Sequence, residues 1–191
     1  MLRFLRYVSA VAALVLGANL AQAADTYEID AAHSNYLFRV KHLGVSYTYG
    51  RFNESSGKFT IEPADPSKNS IEIEVKTNSI DTANEARDKH LKGPDFFNTV
   101  EFPAMTFKST SFKKKDDGNY EVTGDLTIHG VTKPVTATAE LVGAGKGMRG
   151  EMRAGWDATL VIDRTDFGMN YMPDNIGTEV TLTIAVEGVK Q

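Results

Sequence analysis

Period-two alternation of apolar and polar residues runs through most of the chain. Tyr36, Phe38 and Val40 alternate with Leu37, Arg39 and Lys41, and Ile71, Ile73 and Val75 with Glu72, Glu74 and Lys76. Tyr120, Val122, Leu126 and Ile128 alternate with Glu121, Thr123, Asp125 and Thr127. Val135, Ala137, Ala139 and Leu141 alternate with threonines and Glu140. The longest apolar face is Met152, Ala154, Trp156, Ala158, Leu160 and Ile162, and Val180, Leu182, Ile184 and Val186 form the last one. Successive side chains of a strand point to opposite sides, so each segment predicts a strand with one apolar and one solvated face. Shorter stretches at Tyr27–Ile29, Gly57–Glu62 and Ala104–Phe112 bring the expected strands to eight or nine. That is the pattern of an all-β, antiparallel sheet.

The punctuation agrees. Asp117-Gly118-Asn119, His129-Gly130 and the run from Gly143 to Gly147 fall between segments, where glycine can take a positive φ. Pro63, Pro66, Pro94, Pro103, Pro134 and Pro173 fall at expected strand ends or in loops, where no ladder donor is lost. One stretch departs from the β pattern. Thr82-Ala83-Asn84-Glu85 predicts a capping box with Thr82 as the cap, followed by a helix over Ala86–Lys92 that Gly93-Pro94 stops. Phe96 and Phe97 follow directly, placed either to pack that helix against the sheet or to line a lid over one end.

A sheet of this size pairs with a second sheet or closes on itself, and an up-and-down order joined by hairpins favours closure. The expected architecture is a closed antiparallel barrel of about eight strands with one short helix beside it. Such a barrel has an interior that side chains can fill or that can hold one small ligand. Ala137, Ala139, Ala154 and Ala158 face inward on this register and leave room. Trp156, Phe38, Phe59 and Phe107 are the side chains that could occupy it. Periodicity leaves both interiors open.

Residues 1–23 read as an export signal: Arg3 and Arg6, an apolar run from Val8 to Leu16, then Ala21-Gln22-Ala23 for cleavage. The apolar run is shorter than the roughly 20 residues that span a bilayer. Cleavage would leave residues 24–191 as a single domain in the periplasm with no integral membrane segment. The whole chain carries a net charge of −4, and loss of the two leader arginines takes it to −6. That balance argues against a nucleic-acid partner and gives no reason to expect docking on an anionic membrane surface. Cysteine is absent, which removes disulfides, thiol nucleophiles and cysteine metal sites. About 170 residues can bury an adequate core without them.

Candidate chemistry is sparse. His33, His42, His90 and His129 occur without HxH or HExxH spacing, so no metal site is expected. No GxSxG elbow accompanies the abundant serines, and Asp88 and His90, two apart on a helix, do not face together. No catalytic residue is therefore named. Lys113-Lys114-Lys115-Asp116-Asp117 reads as a solvated hairpin tip.

A set of motifs in fixed order adds a family resemblance. It runs from Ile29-Asp30 and His33-Ser34 through Arg39-Val40-Lys41-His42-Leu43-Gly44 to Tyr49-Gly50-Arg51-Phe52 and Gly57-Lys58-Phe59. Ser79-Ile80-Asp81-Thr82, Glu85-Ala86-Arg87-Asp88-Lys89-His90-Leu91, Asp95-Phe96-Phe97 and Phe102-Pro103 follow. The last are Gly124-Asp125-Leu126-Thr127-Ile128-His129-Gly130-Val131-Thr132-Lys133-Pro134-Val135 and Asp163-Arg164-Thr165-Asp166-Phe167-Gly168. From Tyr27 to Gln191 the chain resembles the YceI-like (UPF0312-type) family of lipocalin-like, polyisoprenoid-binding exported proteins.

The resemblance implies a periplasmic binding or carrier protein for a long apolar lipid, an isoprenoid of the quinone or polyprenyl-phosphate type, and no enzyme. Its only cofactor would be that lipid. A ligand-free stress-related scaffold and a small periplasmic hydrolase are the alternatives, and a homodimer is compatible with all three. Ligand-contacting positions come from alternation instead. The expected lining is Tyr36, Phe38, Val40, Phe59, Ile73 and Phe107, with Leu126, Ala154, Trp156, Ala158, Leu182 and Ile184. Arg39, His42, Arg87 and His90 are the candidates for a polar mouth facing a carbonyl or phosphate, charge-assisted bonds to phosphate favouring Arg. Hydrogen bonds fastening the helix to the barrel are the competing role for Arg87, Asp88 and His90.

Overall fold

The computed structural model describes residues 24–191. The expected export signal lies outside the described residues. Strands β1 (Asp25–Ile29) and β2 (Asn35–His42) are separated by a single 3-10 turn, as are β5 (Ser70–Lys76) and β6 (Ile80–Asp81). Only Asn53 and Glu54 separate β3 (Ser46–Phe52) from β4 (Ser55–Ile61). Each pair works as one long, kinked strand, because β2 pairs with β3 while β1 pairs with β4, and β5 with β4 while β6 pairs with β3. The remainder are β7 (Ala104–Lys114), β8 (Tyr120–Ile128), β9 (Val131–Lys146), β10 (Met152–Asp163) and β11 (Ile176–Lys190).

Counted this way, eight strands run up and down in chain order. β11 closes the ring by pairing first with β2, from Ile176 to Ala185, and then with β1, from Gly188 to Lys190. Closure of the antiparallel barrel pairs almost all strand edges, which favours it over an open sheet; the exception is where β9 and β10 part beyond Thr138 and Thr159.

Strand β3 escapes the alternation reading for a physical reason. Its inward positions are Ser46, Thr48, Gly50 and Phe52, opposite His42, Val40, Phe38 and Tyr36, while Tyr47 and Tyr49 are exposed on the outer wall. The apolar residues sit on the solvent face, so the pattern is inverted. The glycine-rich run also differs from expectation. Gly143, Ala144 and Gly145 belong to β9 and pair with Gly155, Ala154 and Arg153; the turn follows, at residues 147–150. Pro134 likewise lies inside β9, opposite Asp125. It is tolerated because β9 pairs with β10 only from Thr138 onward, so its other side lacks a strand to donate to.

The helix α1 (Glu85–Leu91) lies in the connection between β6 and β7. Asn84, not Thr82, is its N-cap, accepting from the Arg87 amide at 3.0 Å. Thr82 is buried and turned to other work: Asp88 accepts from its amide and its hydroxyl, while it accepts from Arg87. The cap residue identified from sequence is thus a fastener between helix and barrel wall.

One end of the barrel is packed shut. Tyr27 stacks on Phe59 at 5.1 Å between ring centres, and Trp156 meets Phe112 and Tyr120 edge-on at 5.7 and 5.0 Å. Burial of such side chains contributes roughly 1.5–3 kcal/mol each. Across the same end, Arg153 reaches Asp30 (2.9 Å), Glu151 (2.8 Å) and Glu187, tying β10, β1 and β11 together.

Candidate functional site

Above the Trp156 floor the barrel is hollow. A cavity of about 630 Å³ extends from Trp156, Phe112 and Val186 to His42, Met169 and Ile176 at the opposite end. From Trp156 to Ile162, both on its wall, the strand advances about 20 Å. Inward residues such as Phe38, Phe107, Ala158, Leu182 and Ile184 are only partly buried, because they border open space rather than protein.

The aromatic rings leave the interior free because they lie against the wall. Opposite Phe38 in the ladder stands Gly50, and a Cβ there would meet the Phe38 ring at 2.3 Å. Phe107 lies over Gly124 in the same manner, at 2.5 Å, and Phe59 over Gly188 at 2.7 Å. An inward glycine lets a neighbouring ring fold flat onto the backbone. Bulky residues therefore coat the wall without plugging the bore.

Ten of the twelve lining residues expected from alternation border this cavity: Tyr36, Phe38, Val40, Ile73, Phe107 and Leu126, then Trp156, Ala158, Leu182 and Ile184. Phe59 and Ala154 do not. Both face inward as the register requires, but at 1% and 3% exposure they lie in the packed core beneath the floor. Alternation reveals which face a residue takes but not its height along the barrel.

Of the four candidates for a polar mouth, His42, Arg87 and His90 border the cavity. Arg39 does not: it points outward, its guanidinium 4.8 Å above the ring of Tyr47. A strand-internal residue beside the inward Val40 must face the other way. Arg87 donates from Nε to the Thr82 hydroxyl and from its terminal nitrogen to the Thr82 carbonyl, both at 2.7 Å. His90 Nε2 lies 2.9 Å from the Asp95 carboxylate, and its ring meets Phe96 and Tyr171 edge-on at 5.1 and 5.2 Å. These contacts fasten α1 to the barrel and to the loop before β11. Phe97 packs on Phe52 at 5.4 Å, and Phe96 and Phe97 both border the cavity's upper end.

The residue missed from sequence is Arg164. It borders the cavity yet is only 4% exposed, held at the start of the loop that links β10 to β11. Its guanidinium donates to the carbonyls of Met169, Tyr171 (2.9 Å), Ile176 (2.7 Å) and Gly177 (3.0 Å). Burial lowers its pKa, opposed by neighbouring Asp163. One cation thereby shapes the upper rim of the cavity. No periodic signal marks such a residue; in the sequence it stands only within the Asp163-to-Gly168 motif.

Away from the cavity, ligand atoms of Asp30, His33 and Glu187 lie within 4.8 Å of one another, the spacing a cation could use. Arg153 already stands among them. The His33 hydrogen bond, then Arg153, holds the Asp30 carboxyl down at about 2. Among the described residues, neither His33 nor His90 accepts from a hydroxyl, the partner a nucleophile triad needs. Nor is any helix among them long and apolar enough to cross a membrane.

A YceI-like domain model matches residues 27–188, nearly the whole described barrel. The chain belongs to the YceI-like family. Among YceI-like relatives, a UPF0312 protein of Pseudomonas aeruginosa is 43% identical over 188 residues, covering 95% of this chain and 97% of the relative. The crystal structure of the Campylobacter jejuni YCEI protein superimposes with a TM-score of 0.71 at 32% identity, over 79% of this chain and 90% of that one. A Saccharophagus degradans structure described as a polyisoprenoid binding domain gives a TM-score of 0.64 over 86% of this chain and 98% of that chain. At 16% identity, that last likeness is one of fold.

Proposed function

We propose that this YceI-like protein is a periplasmic binding or carrier protein for one long-chain isoprenoid lipid, of the quinone or polyprenyl-phosphate type. The observation that carries the reading is the cavity of about 630 Å³, walled by apolar side chains and bounded at one end by Trp156. A long bore with apolar walls suits a flexible hydrocarbon chain better than a compact polar substrate. Each CH₂ taken from water contributes about 0.8 kcal/mol, so a few isoprene units offset the cost of ordering the tail. Support by analogy comes from the shared fold of a domain described as polyisoprenoid-binding.

His42, Arg87 and His90 would lie nearest a head group left at the upper end, and no catalytic role is assigned to them. Export rests on the leader at residues 1–23. The test is native mass spectrometry of the mature protein purified from its own host. A co-purifying isoprenoid supports the proposal. A protein that arrives empty and fails to take up any prenyl lipid offered to it overturns the proposal in favour of a ligand-free scaffold.

A further inference from the structure

A lipid that enters this bore must leave a membrane, and the barrel's open end carries exposed apolar side chains. The cavity-lining residues most exposed to solvent there, His42, Ala86, Arg87 and His90, lie between the β2–β3 hairpin and α1. The hairpin tip is Leu43-Gly44-Val45, with Leu43 53% and Val45 82% exposed. The amide of Leu43 donates to Asn175 at 2.7 Å, which joins the tip to the loop before β11. That loop presents Met172, also exposed.

The conformation of these residues is as informative as their exposure. Leu43 and Gly44 have φ of 52° and 70°, the two positive values of a tight hairpin turn. Such turns favour Asn-Gly, because positive φ crowds the Cβ of a residue such as Leu against its own backbone, a strain that glycine escapes and Asn tolerates best. Met172 also has a positive φ, 44°. Two flexible apolar side chains therefore occupy strained positions in water, beside the cavity, where polar residues would be better for folding. Neither is required by the core.

Below the tip, the outer wall of the hairpin bears Arg39 and Lys41 alternating with exposed Tyr47 and Tyr49. Among the described residues, neither cation has a carboxylate within ion-pair distance. In the ladder Lys41 stands level with Tyr47 and Arg39 with Tyr49, so behind the apolar tip the tyrosines and the long cationic side chains share the depth of an interface and its phosphates. This local patch runs against the acidic balance of the whole chain.

We propose that the β2–β3 hairpin tip, with the neighbouring Met172 loop, docks on a phospholipid bilayer and holds the cavity mouth at its surface. Leu43, Val45 and Met172 enter the acyl boundary, while Arg39 and Lys41 meet lipid phosphates. The docking surface deepens the carrier reading and rests on it for its purpose. Binding of empty protein to vesicles tests the surface without any isoprenoid present.

The experiment compares the wild-type mature chain with Leu43→Asn/Val45→Ser, and with Met148→Asn as control. Met148 is fully exposed on the β9–β10 hairpin at the closed end. Asn at position 43 suits the turn, so the double variant keeps its fold, checked by its melting temperature. Sedimentation with phosphatidylcholine vesicles containing phosphatidylglycerol should show partitioning reduced about tenfold or more by the double variant and unchanged by Met148→Asn. In a second arm, transfer of a prenyl quinone between vesicles should slow by a similar factor, with equilibrium affinity for the quinone unaltered. No vesicle binding by the wild type, or equal binding by the double variant, overturns the docking surface even if quinone affinity stands. Wild-type self-association abolished by Leu43→Asn/Val45→Ser would also overturn it, since the tip would then be an interface between copies.

Discussion

Ala158 stands in the cavity wall with Ala139 and Ile184 as its neighbours on the flanking strands, whereas Ala154, four residues earlier, is buried at 3% exposure beneath the floor. The same substitution should therefore have opposite consequences at the two sites. An Ala158→Trp side chain projects into open space. The indole takes the room of about nine chain carbons, which at about 0.8 kcal/mol each sets an upper limit of ~7 kcal/mol on lost lipid affinity. The tail can slide toward the mouth, so at least about 3 kcal/mol, on the order of a hundredfold in Kd, should be observed.

Stability should hold or rise, because a large apolar surface is buried with little overpacking. At Ala154 no free space exists, so Ala154→Trp should cost about 3 kcal/mol or more and give an unfolded or molten product. Isothermal titration with a long-tailed prenyl quinone, beside urea unfolding, reads both quantities. Unchanged affinity in a folded Ala158→Trp protein would refute the cavity as the lipid site. A stable Ala154→Trp variant would refute the packed floor.

Three further outcomes follow, two from the cavity and its rim and one from the closed end. Gly50→Ala should push the Phe38 ring off the wall into the bore and weaken binding of long tails, while far-ultraviolet circular dichroism stays native; equal affinity would show that the ring had room elsewhere. Arg164→Lys, which keeps the charge but not the fan of four carbonyl contacts, should destabilise by about 2 kcal/mol or more. It should also speed amide exchange in residues 164–177, and uniform exchange would contradict the fastening role. The Asp30 carboxyl, held at about 2 in the folded protein, adds stability above its ordinary value that is lost as pH falls through its folded pKa. Wild type should accordingly lose up to about 2 kcal/mol between pH 4 and pH 2, and Asp30→Asn should lose less; parallel urea midpoints for the two would contradict this.

The alternation of Ala154, Trp156, Ala158, Leu160 and Ile162 was enough to place the wall of the barrel in sequence, since a period of two leaves one choice of inward face. It could not reveal that Ala154 lies under the floor and Ala158 in the bore. That height depends on the stagger of eight strands and on the Tyr27–Phe59 stack, contacts far apart in the chain. β3 was hidden because its inward side holds serine, threonine and glycine. The hollow itself was undecidable from composition: whether Phe38 and Phe107 fill the barrel or coat it turns on Gly50 and Gly124, which meet them only across strand pairs. Arg164 was invisible to periodicity because its partners are backbone carbonyls, and a carbonyl has no sequence.

The central claim is that an oily chain runs along the bore to its floor. Trp156, the one tryptophan of the protein, lies at that floor and reports on arrival there. Titrating delipidated protein with quinones of graded prenyl tail length, while following Trp156 emission and heat, tests the claim most directly. Affinity should rise with each added isoprene unit, and level off at the length where the tail end reaches and perturbs Trp156. Affinity independent of tail length, with Trp156 emission unmoved throughout, would contradict it.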